Sequence, residues 1–97
     1  MEEQLRRKVE ELIVEIRQAS QGSNAPGFLH HLVQFLERIA GEFEKPNPDS
    51  EILLRGAGAL GRGVTDDYAF SESPLGTKLL DFITEIVSKY DSAWPYN

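Results

Sequence analysis

The 97-residue chain has the length of a single domain, 1–97, and with no cysteine it has no disulfides, thiol nucleophile or cysteine-ligated zinc. Ten Lys and Arg against sixteen Asp and Glu leave a formal net charge of −6, which lacks the basic footprint that phosphate backbones require. No apolar run approaches membrane-spanning length and the start, MEEQLRRKVEE, is charged where a signal peptide would be hydrophobic. We therefore expect a cytoplasmic protein with no nucleic-acid partner and no membrane partner.

Leu5, Val9, Leu12, Ile13 and Ile16 recur at helical spacing and put one apolar face on a first helix from residue 2 to about 20. Val14 falls on the opposite side among charges. The basic run Arg6-Arg7-Lys8 is bracketed by Glu2, Glu3, Glu10 and Glu11, and reads as a solvated face paired within its own helix. The segment ends in Ser20-Gln21-Gly22-Ser23-Asn24, with Gly22 as the expected terminator.

Asn24-Ala25-Pro26 opens a second helix, with Pro26 in its first turn. Phe28, Leu29, Leu32, Val33, Phe35, Leu36, Ile39, Ala40 and Phe43 cover an arc of roughly 160° at 100° per residue. So broad a face implies contact with more than one neighbour and marks this helix as the central one. Lys45-Pro46-Asn47-Pro48 ends it, and Asn47 or Asp49 caps a third helix that begins with Ile52, Leu53 and Leu54.

Arg55 to Asp67 then reads RGAGALGRGVTDD. Four glycines in eight residues weaken a helix, so the third helix either continues weakly through the segment or frays near Gly61 to Gly63, and the stretch is expected to be irregular. Close packing against another backbone is the leading reason for them. Ser73-Pro74 restarts a helix, with Ser71 as an alternative cap, and Leu75, Leu79, Leu80, Phe82, Ile83, Ile86, Val87 and Tyr90 make a face as broad as the second helix's. Trp94 and Tyr96, around Pro95, are expected to fold back onto the core.

No internal repeat is visible and strand patterns are nearly absent. The expected fold is all-α: a small antiparallel four-helix bundle, up-down-up-down, with an irregular Gly-rich segment between helices 3 and 4.

Chemistry is sparse. Gly56 to Gly61 matches GxGxxG, but that fingerprint needs a strand before it and a helix start after it. His30 and His31 diverge by about 100° on a helix, which keeps them from sharing a metal. Asp66, Asp67 and Glu72 lack the alternating ligands of a calcium loop, so capping or turn formation explains them better. No ExxH pair offers a di-iron site, and no serine sits beside a histidine base in sequence.

We expect a non-catalytic protein–protein interaction module without cofactor or metal, an immunity- or inhibitor-like regulator among its versions, binding a protein with a basic surface. Arg55, Arg62, Asp66, Asp67 and Tyr68 are the expected partner-binding residues. Two alternatives stand beside it. One is a homodimeric structural bundle, motivated by Val14 and the broad second and fourth helices. The other is an anion- or nucleotide-binding protein using Gly56–Gly63.

Overall fold

The computed structural model describes residues 2–21 and 27–91. Five helices occupy them: α1 (Glu2–Ala19), α2 (Phe28–Phe43), α3 (Ser50–Thr65), α4 (Tyr68–Glu72) and α5 (Pro74–Tyr90). Among the described residues there is no strand. Gly22, Pro26 and the Trp94–Tyr96 tail, on which expectations for termination, capping and docking rest, lie outside the described residues.

The helix starts follow local chemistry. Asp49 caps α3 by accepting the N–H groups of Glu51 at 2.9 Å and Ile52 at 3.4 Å. Ser73, not Ser71, caps α5, accepting the Gly76 N–H at 3.0 Å, with Pro74 as the first helical residue. Gly76 is buried there, and no side chain fits in its place, because a Cβ would lie 1.9 Å from the Phe70 carbonyl oxygen.

The glycine segment is helical, which corrects the expected irregular stretch: α3 runs unbroken to Thr65. Its four glycines cost about 4 kcal/mol in intrinsic propensity relative to alanine. Against that, Leu53, Leu60 and Val64 are fully buried with Ala57 on one stripe, and three such side chains contribute about 5–9 kcal/mol. Burial wins. The glycines have different surroundings. A Cβ on Gly56 would meet Ile39 Cγ1 at 3.0 Å and one on Gly63 would meet Leu32 Cδ2 at 2.9 Å, so these two bring α3 close to α2. Gly61 faces Ile83 of α5, and Gly58 faces open space.

α1 packs on α2, α2 on α3, α3 on α5, and α5 returns to α1, while α4 leans on α3 and α5. α2 thus holds no central place; α3 and α5 each touch three helices, because the unexpected α4 sits between them. Its broad face is used on both sides, with Phe28, Phe35 and Ala40 half-buried around the fully enclosed Leu32, Leu36 and Ile39. Direction follows from side-chain register. Lys8 meets Glu85 and Glu15 meets Lys78, so α1 and α5 run oppositely. Gly56 with Ile39 and Gly63 with Leu32 set α2 and α3 oppositely too. The Cα radius of gyration is 13.2 Å, against about 13 Å for a folded chain of this length.

Among the described residues, the buried polar side chain of this core is Glu42, 4% exposed. It accepts the Asp49 N–H at 2.9 Å and the Lys45 ammonium at 3.1 Å. Those two bonds, the backbone one foremost, hold its carboxyl below its ordinary value of 4.5. Glu42 therefore positions the residue that caps the next helix, and the α2–α3 turn is closed by a relay of two carboxylates.

Basic residues of α1 behave differently from expectation. Arg7 makes no ion pair with Glu3 or Glu11 among the described residues. Lys8 instead reaches across to Glu85 of α5, and Arg17 reaches Glu37 of α2 at 2.8 Å.

Candidate functional site

Where α3 ends, two aspartates fix the path of the chain. Asp66 occupies the position after the helix, and its N–H still donates to the Arg62 carbonyl at 3.0 Å. Asp67 turns extended and caps α4, its Oδ1 accepting the Phe70 N–H at 2.9 Å. Capping therefore accounts for Asp67, as its sequence context implied. The α4 turn in turn carries Phe70 against Phe28 at the start of α2, edge to face with ring centroids 5.2 Å apart.

These elements bound a groove of about 570 Å³ between α2 and α3. Phe28, His31 and Phe35 form the α2 side, and Arg62, Asp66 and Asp67 the other. Leu32 and Gly63 lie at its bottom, where the missing glycine side chain lets the floor sink toward α2. Among the described residues Arg62 makes no ion pair, although Asp66 stands one helical turn away. An unpaired guanidinium, a free carboxylate and two half-buried aromatic rings share one concavity.

The other expected residues are placed apart from it. Arg55 is paired with Glu51 on the exposed face of α3, at the i, i+4 spacing, and does not line the groove. Tyr68, 75% exposed, stands on α4 just beyond Asp67. Three of the five expected residues, Arg62, Asp66 and Asp67, line the groove; its α2 side was not among them, because Phe28 and Phe35 read as part of the apolar arc, and both do pack against the core. The signal is the breadth of the α2 apolar arc, whose edge residues Phe28 and Phe35 pack against the core yet stay only half-buried where they line the groove.

His30 and His31 are both exposed. No group of three His, Asp or Glu among the described residues could hold a metal ion. The GxGxxG glycines sit in the interior of α3, where backbone N–H groups are spent on helical hydrogen bonds and do not converge on a phosphate. No helix of the described residues is long and apolar enough to cross a membrane. Compared with family models, curated proteins and solved structures, the chain finds no match.

Proposed function

We propose that the chain is a non-catalytic, cytoplasmic protein–protein interaction module, of the kind an immunity or inhibitor protein represents. In this reading α1, α2, α3 and α5 form an antiparallel four-helix bundle, supported by the opposed registers of α1 with α5 and of α2 with α3. The observation that carries the function is the α2–α3 groove, where unpaired Arg62 and Asp66 flank Phe28 and Phe35. Interface hot spots combine that composition: an arginine and aromatic anchors in a concavity that a partner can dry.

The test is affinity capture from native extract with mass spectrometry, comparing wild type with an Arg62→Glu, Asp66→Lys double variant. Neither residue caps a helix with its side chain, so the variant is expected to fold. A partner retained by wild type and lost by the variant, at unchanged melting temperature, supports the reading. A partner held equally by both sinks the α2–α3 assignment.

The homodimer reading retains less support. The breadth of α2 and α5 that motivated it is used within one chain, by Phe35 and Ala40 on α2 and Leu80 and Ile83 on α5, which leaves Val14, 53% exposed.

A further inference from the structure

The two sides of the α1–α5 seam carry matched octapeptides. Residues 8–15 read KVEELIVE and residues 78–85 read KLLDFITE. They share Lys first, an acid fourth, a large apolar residue fifth, Ile sixth and Glu last. Because α1 and α5 run in opposite directions, the lysine of each meets the last glutamate of the other. Lys8 Nζ donates to Glu85 at 2.6 Å and Lys78 Nζ to Glu15 at 2.8 Å. The seam has local two-fold character about its midpoint.

Between the two bridges lies a groove of about 630 Å³. Buried Leu12 and Phe82 form its floor, and exposed Val14 extends the apolar surface onto its lip. Glu11 and Asp81, two-fold mates on opposite helices, are exposed along it, and neither makes an ion pair among the described residues. Both lysines of the lining are already engaged, so the unpaired charges here are all negative. A second copy docked two-fold would bring these lips face to face, carboxylate toward carboxylate. Charge therefore disfavours self-association through this face and favours a cationic occupant.

We propose that the α1–α5 groove receives a basic amphipathic helical segment of a protein partner. Its apolar residue covers Leu12, Phe82 and Val14, and its Lys or Arg heads reach Glu11 and Asp81 while their stems lie along the floor. Residues 8 to 15 span about 10 Å of helix axis, which fits about two turns of the occupant. The inference stands independently of the α2–α3 groove, since it rests on another face and other residues.

The experiment is titration of the ¹⁵N-labelled full chain with a helical peptide of Leu and Lys, and with its Leu and Glu counterpart, followed by amide shifts. The Leu/Lys peptide is expected to move resonances within 8–15 and 78–85, and the Leu/Glu peptide to move none. Glu11→Gln with Asp81→Asn is expected to weaken binding about tenfold, and the charge-matched control Glu44→Gln with Glu72→Gln less than about twofold. If the groove variant loses its cooperative melt, Val14→Lys, on an exposed position of the same lip, is expected to weaken binding by the same readout. Shifts scattered over the acidic surface, or equal losses in groove and control variants, overturn the proposal in favour of net-charge attraction. Concentration-dependent shifts of the two octapeptides without peptide overturn it in favour of a second copy.

Discussion

The α2–α3 and α1–α5 seams join helices of similar length in opposite directions, yet they are built by opposite means. At α2–α3 the chain removes side chains: Gly56 and Gly63 let Ile39 Cγ1 and Leu32 Cδ2 come within 3.0 and 2.9 Å of where a Cβ would sit. At α1–α5 it keeps long ones, and Lys8–Glu85 and Glu15–Lys78 span a seam whose helices approach less closely. Interhelical distance follows the smallest residues at the contact, so glycine closes one seam and leucine and phenylalanine hold the other open. One seam is rigidly specified by packing. The other has an acidic, half-open lip.

If shape closes the tight contacts, filling them has to be costly, and the effect should be greatest where the obstacle is backbone. Gly76→Ala places a Cβ against the Phe70 carbonyl at the α4–α5 junction, where no rotamer change relieves the clash. A loss of about 3 kcal/mol or more, or failure to fold, is expected in urea denaturation. Gly63→Val meets a side-chain methyl, which can shift partly, so about 1–3 kcal/mol is expected by the same measurement. An unchanged midpoint for Gly63→Val would mean that α2 and α3 are free to separate, and the contrast between the seams would fail.

The turn between α2 and α3 gives the tight seam a pH dependence. Glu42 is held below its ordinary value by the Asp49 N–H and Lys45, so the folded state favours its ionised form. Its contribution is present above 4.5 and is lost as pH falls through the lower folded value. Glu42→Gln is expected to flatten the stability profile below 4.5, followed by circular dichroism melts from pH 6 to pH 3. A profile as steep as wild type's would assign that acid limb to other carboxylates.

The helices were legible where periodicity and capping agreed. Leu5 to Ile16, Asp49 and Ser73-Pro74 placed α1, α3 and α5 because each signal lies within a few residues of the feature it determines. The course of α3 was not, since glycine propensity argued for a break and burial of Leu53, Leu60 and Val64, a tertiary effect, outweighed it. α4 was missed because five residues are too few to show a period, and only the Asp67 cap announced it. Among site residues, Arg62, Asp66 and Asp67 were legible as an unusual cluster. The match between residues 8–15 and 78–85 was present in the sequence but became meaningful only once antiparallel packing set the two octapeptides against each other. Within α3, Gly58 sharpens the same point: its Cβ would meet nothing, so Gly58→Ala is expected to stabilise by about 1 kcal/mol, opposite in sign to the seam glycine. A destabilising Gly58→Ala would show that propensity had been misjudged throughout the helix.

The smallest effect is expected at the open seam, and it is the one that decides whether charge merely decorates that seam or holds it. The Lys8 and Glu85 side chains are 48% and 42% exposed, so water screens their attraction and ordering two long side chains offsets part of it. A double-mutant cycle of Lys8→Gln and Glu85→Gln is expected to give a coupling of about 0.2–1 kcal/mol, with Lys78 and Glu15 behaving alike. At about 1 M salt, where the screening length falls to about 3 Å, the coupling should shrink toward zero. Leu12 and Phe82 beneath the bridges would then hold the helices together, leaving the charges free to exchange partners with an incoming basic segment. A salt-insensitive coupling above about 2 kcal/mol would reverse this: the bridges would be part of the closure, and a ligand would have to break them before it could enter.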